Sequence, residues 1–153
     1  MRGFQVLLLS FFGTGYSPIA PGTVGSLATL PLVYLAWTYS QISLDIALFF
    51  IILGISLVTI KRTTLGHKDP SWVVIDEVLG MFIAYICVSF FKYSLFKLII
   101  IFLVFRGFDI VKPPPISNID KMTFPEAIIW DDIVAGIFAG LLSGIIFYIF
   151  PQI

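Results

Sequence analysis

VVIDEVLGMFIA at residues 73–84 and IIWDDIVAGIFA at 128–139 share one format: an apolar helix with two adjacent carboxylates at its foot. The pairs are Asp76-Glu77 and Asp131-Asp132. Whether such helices lie in water or in lipid decides the fold. Apolar residues make up 59% of the chain and charged residues 12%, against about a quarter charged in a soluble domain. A soluble fold of this size would lack the polar side chains to cover its surface. The chain therefore reads as an integral membrane protein. In lipid an ionisable side chain is expensive and marks function by default. Acids in a first turn also complement the positive end of a helix, but that explains one pair better than two. Four acids in a repeated format point to a divalent-cation site or a proton site.

A membrane helix needs about 20 apolar residues. Segments 24–39, 44–60, 77–91, 95–111 and 133–150 approach or meet this length. Residues 3–12 are too few and predict a short re-entrant or interfacial helix. The expected fold is all-α, a polytopic bundle of about five spanning helices, forming a single integral-membrane domain over 1–153. Arg2 and the apolar run to Phe12 resemble a signal peptide, but Pro18 and Pro21 fit a cleavage site poorly, so no cleavage is expected. Cys87 sits in an apolar run, without a second cysteine, and reads as a buried core thiol.

Counting crossings brings 13–23, the connector 61–76, the end of the fourth span and the connector 112–131 to one side. That side carries Arg2, Lys61, Arg62, Lys68, Arg106, Lys112 and Lys121; the other has only Lys92 and Lys97. Basic residues accumulate in cytoplasmic loops, so the motif-bearing side is predicted to face the cytoplasm. Net charge is zero, and the 16 phenylalanines read as lipid contacts, so no nucleic-acid partner is indicated.

Four motifs carry the chemistry. Gly13–Ser26, GTGYSPIAPGTVGS, combines residues that permit positive φ with residues that remove donors. It ends where the first span begins, so its free N–H groups could cradle an anion, or it is a loop capped by Thr23 or Ser26. The second motif, His67-Lys68-Asp69-Pro70, leads into Asp76-Glu77. His67 reads as a solvated loop residue, and one histidine with one isolated cysteine argues against zinc. Asp76 and Gly80 share a helix face, leaving room for a ligand or a neighbouring backbone. In the third, FRGFDIVKPPP at 105–115, Arg106, Asp109 and Lys112 follow at intervals of three. They form either a phosphate grip or an intrahelical pair with a snorkelling lysine; the depth of Arg106 favours the grip. The fourth, Asp131-Asp132-Ile133-Val134-Ala135-Gly136, joins the second in offering hard oxygen ligands suited to Mg²⁺.

The strings TGYSPIAPGTVGSL (14–27), DPSWVVIDEVLGM (69–81), FRGFDIVKPPPI (105–116) and DDIVAG (131–136), in that order, resemble the phosphatidylglycerophosphatase A family. The resemblance implies an integral-membrane, Mg²⁺-dependent lipid phosphatase of the bacterial inner membrane, converting phosphatidylglycerophosphate to phosphatidylglycerol. It implies catalytic and metal-binding roles for Asp76, Glu77, Asp131 and Asp132. Asp109 would be a further ligand or would orient Arg106. Arg106 and Lys112, with Thr14, Gly22, Thr23 and Ser26, would bind the phosphate. The chain departs from the family pattern at Lys68, often an Asp, and at Met122–Ala127, commonly glycine-rich. A small cation or proton transporter using the same acids would want access to both faces, which their one-sided placement disfavours. A CDP-alcohol phosphotransferase would need an Asp-Gly…Ala-Arg…Gly…Asp pattern that the chain lacks.

Overall fold

The computed structural model describes residues 3–39, 41–62 and 70–152. The expectations placed on Arg2, His67, Lys68 and Asp69 lie outside the described residues. Among these residues every regular element is helical, as the sequence predicts. The order is α1 (Gly3–Leu9), a 3-10 turn (Thr14–Tyr16), α2 (Pro21–Tyr39), α3 (Ile42–Arg62), α4 (Ile75–Val88), α5 (Leu95–Val111), α6 (Ile116–Asp120) and α7 (Ala127–Ile149). By length and composition, α3 and α7 are apolar enough to cross a membrane.

Local chemistry sets the ends. α2 starts at Pro21, three residues ahead of the predicted span, because proline is pre-organised for the first helical position. α5 stops at Val111, where Lys112 takes a left-handed conformation with φ 45° and three prolines follow. α7 starts at Ala127, so its two acids sit a turn inside the helix rather than at its foot.

α4 is the core of the bundle: ten of its 14 residues are buried. Its principal partner is α7, the helix with the same sequence format. The seam between them is made of small residues four apart: Gly136, Gly140 and Gly144 on α7 face Gly80, Ala84 and Val88 on α4. A Cβ at Gly80 would stand 2.6 Å from the Asp132 carbonyl, and one at Gly136 would meet the Gly80 carbonyl. One at Gly140 would stand 2.9 Å from the Ala84 carbonyl. Small residues at this spacing let backbones approach closely, the usual seam between helices in lipid. The two helices run parallel in this register, which carries Asp76 to the level of Asp132. Of the two uses open to the space beside Gly80, the neighbouring backbone takes it.

Gly136→Val is expected to destabilise the fold by about 1–3 kcal/mol, because a branched side chain must displace backbone. Gly144→Ala is expected to be tolerated, since the nearest atom to its Cβ is Val88 Cγ1 at 3.7 Å. Thermal unfolding in detergent compares the two; equal melting points would refute the seam.

The loop before α2 packs on the entry to α4. The Val74 N–H donates to the Leu9 carbonyl at 2.8 Å. The rings of Tyr16 and Trp72 stack at 6.0 Å, and Gly15 lies against the Trp72 carbonyl. At the other end of the bundle, Tyr85 Oη donates to Asp45 at 2.6 Å. Lys97 Nζ donates to the Lys92 carbonyl at 3.2 Å. Asp45 and Lys97 there are thus held by structural partners.

Candidate active site

The first turn of α4 supplies Asp76 and Glu77, and α7 supplies Asp132. One oxygen from each lies within 4.8 Å of the others. The glycine seam makes this possible, since helices held apart by larger side chains could not bring three carboxylates so close. The first turn of α2 lies on the same cluster. A Cβ at Gly22 would run into Glu77 Oε1 and stand 3.5 Å from Arg106 Nη1. Ser26 Oγ donates to the Gly22 carbonyl at 2.8 Å and accepts from Arg106 Nη1 at 3.4 Å.

Arg106 pairs with Asp109 along α5, and Asp109 in turn lies within electrostatic reach of Asp132 and Glu77. The intrahelical pair and the approach to the acids therefore coexist. Asp131 points elsewhere. Consecutive helical residues are turned about 100° from one another, and its Oδ2 accepts from Lys112 Nζ at 2.6 Å. Lys112 also donates to Asp120 at 2.5 Å. Burial works against the ammonium, but these two carboxylates outweigh it and hold the Lys112 pKa above the ordinary lysine value. Lys112 is therefore a cation throughout the physiological range. Its raised pKa adds stability that is present below the ordinary lysine pKa and is lost only as pH climbs through the higher folded value.

The structure thus brings Asp76, Glu77, Asp109, Asp132, Arg106, Gly22 and Ser26 together, with Asp131 and Lys112 as an adjoining pair. Thr23 sits half-buried in the first turn of α2. Thr14 belongs to its own turn: Oγ1 donates to the carbonyls of Ser10 at 3.1 Å and Phe11 at 3.0 Å. Two features escaped sequence reasoning. Asp120 was unremarked because α6 carries it back to Lys112 across the proline run. The signal for the glycine seam is the four-residue spacing of Gly136, Gly140 and Gly144.

Asp76, Asp131 and Asp132 are each 4% exposed and Asp109 is 9% exposed. Five acids face two bases, a surplus of negative charge in a buried place. At an effective dielectric near 20, two unit charges 4 Å apart repel by about 4 kcal/mol. Within the cluster Glu77 Oε2 is buried without a hydrogen-bond partner among the described residues, and so is the neighbouring donor Arg106 Nε. An all-oxygen set with a spare buried acceptor fits a hard divalent cation such as Mg²⁺. A guanidinium with a spare donor fits phosphoryl oxygens.

Three carboxylates that could hold a metal ion, with Arg106 beside them at one end of an apolar helical bundle, are the arrangement expected of a membrane enzyme acting on phosphate esters. Residues 7–147 match the sequence model of the family described as Phosphatidylglycerophosphatase A, and the chain belongs to that family of phosphatases. A Phosphatidylglycerophosphatase A of Escherichia coli is 33% identical over 148 residues, covering 94% of this chain and 81% of the relative. One of Haemophilus influenzae is 34% identical over 136 residues, covering 87% and 82%. A Bacteroides thetaiotaomicron protein named "Putative phosphatidylinositol-3-phosphatase" is 31% identical over 150 residues, covering 92% and 91%. No solved structure matches the chain.

Proposed function

We propose that the chain hydrolyses phosphatidylglycerophosphate to phosphatidylglycerol and phosphate, using Mg²⁺, at the cytoplasmic face of a bacterial inner membrane. The observation that carries this reading is the convergence of Asp76, Glu77 and Asp132 beside Arg106. These three acids would hold the ion. Its chemistry, when bound, is Lewis-acid stabilisation of charge on the phosphoryl oxygens. Arg106 grips two of those oxygens through its fork of donors. Lys112 adds a point charge, and Asp131 and Asp120 aim it. Backbone N–H groups of Gly22 and Thr23, unpaired in the first turn of α2, offer further donors. Asp109 and Ser26 position Arg106. Hydrolysis forms a P–O bond to water and breaks the P–O bond to glycerol, whose oxygen takes up the proton that water gives.

In this reading α2, α3, α4, α5 and α7 all cross the membrane. α4 is only 14 residues, about 21 Å. It is short of the roughly 30 Å hydrocarbon layer, and its burial among the other helices spares its far end from reaching the opposite interface. The basic residues counted above support a site on the cytoplasmic side.

The test is phosphate release from phosphatidylglycerophosphate in detergent. Release is expected with Mg²⁺ and is expected to stop with EDTA and return on adding Mg²⁺. Chelator-insensitive release would reject the metal assignment, and no release would reject the substrate. Phosphatidylinositol 3-phosphate belongs in the same assay, because one relative carries that substrate in its name. Cation flux into proteoliposomes without phosphate release would favour the transporter instead.

A further inference from the structure

A groove of about 330 Å³ runs between α5 and α7 on the outer wall of the bundle. Val104, Gly107, Phe108, Val111, Pro113 and Leu142 line it, and all are apolar. Arg106, Asp109 and Lys112 are interleaved with them along α5 and its cap, so the groove and the charged site share the same turns of the helix on different faces. From Val111 to Val104 it follows α5 for seven residues, about 10 Å toward the middle of the bundle.

Gly107 is the unusual member. A glycine inside a helix costs about 1 kcal/mol relative to alanine. At Gly80 and Gly136 close backbone approach accounts for it. At Gly107 no heavy atom lies within 4 Å of the place a Cβ would occupy, and its φ is not positive. Neither packing nor backbone conformation requires a glycine there. Its missing side chain leaves open space at the mouth of the groove, one residue from Arg106.

We propose that this groove seats an acyl chain of the lipid substrate and that Gly107 is a specificity-determining notch; this rests on the phosphatase reading above. An amphiphile whose phosphate is held by Arg106 and Lys112 must lay its chains in apolar surroundings within reach of those cations. This groove meets that need and touches the same helical turns. Burial along it adds binding only for substrates long enough to fill it. Its effect therefore appears in KM for long-chain lipids, because contacts made equally in ground and transition states leave kcat unchanged.

Gly107→Leu puts a side chain into open space, and Leu142→Phe narrows the groove from the opposite wall. Both are assayed on dioleoyl and dihexanoyl phosphatidylglycerophosphate, with a melting curve to establish folding. KM for the dioleoyl lipid is expected to rise about tenfold, the loss of roughly two buried methylenes, and KM for the dihexanoyl lipid by less than about twofold. If Gly107→Leu does not fold, Leu142→Phe decides. Equal shifts on both lipids, or none, would overturn the groove and leave the phosphatase reading standing. No release from either lipid by the unmodified chain would overturn both.

Discussion

Asp132→Asn is expected to lower Mg²⁺-dependent phosphate release by about 10³-fold, the loss of several kcal/mol of transition-state stabilisation. Asp132 is the one acid that α7 contributes to the three-carboxylate cluster. It is 4% exposed and lies close to Asp109, the partner of Arg106, so neutralising it changes the charge around the ion and around the Arg106 pair together. The second readout is stability, and it runs the other way. Like charges crowded in a buried site weaken the fold, a common cost of function. The Asn variant is therefore expected to melt above the unmodified chain in EDTA. Mg²⁺ should then raise the melting point of the unmodified chain, since an ion that binds only the folded state stabilises it, and should move the variant little. A folded Asn variant that keeps full Mg²⁺-dependent activity would remove Asp132 from the site.

Asp131 shows where sequence reading reaches its limit. The pairs Asp76-Glu77 and Asp131-Asp132 look interchangeable in the chain, and both were expected to bind metal. Adjacent helical residues point about 100° apart, so a pair serves one site only where the surroundings reach both members. In α4 the pair lies in the first turn, where α2 crosses at Gly22, and both acids join the cluster. In α7 the pair lies a turn deeper, and Lys112 waits on the side that Asp131 faces. That lysine caps α5, and α6, a five-residue helix, brings Asp120 to it from the other direction. The gathering of all four motifs at one end was legible, because it follows from counting spans and noting which loops are polar. The register of α4 against α7 was also legible, in glycines spaced by four. The central place of α4 was not, since a helix apolar on all sides does not reveal which neighbours cover it.

Arg106 tests the other half of the site. Its Nη1 is committed to Asp109 and Ser26, while Nε is buried with no hydrogen-bond partner among the described residues. An unmet buried donor costs about 1–3 kcal/mol, so a purely structural guanidinium would be better replaced by lysine, whose single ammonium could keep Asp109 company. If Arg106 instead grips phosphate, lysine loses the planar fork that matches two oxygens at once. Arg106→Lys is therefore expected to cut kcat/KM by about 10²-fold or more, the size seen when one oxyanion donor is lost. Arg106→Ala is expected to lose at least as much, and also to destabilise the protein by leaving Asp109 beside Asp132 without its cation. Lys112→Ala serves as the comparison: a point charge at the rim, shared between Asp120 and Asp131, should be worth less than the fork. A Lys variant with full activity would make Arg106 a structural cation, and the phosphate would then have to be held by Lys112 and the α2 backbone alone.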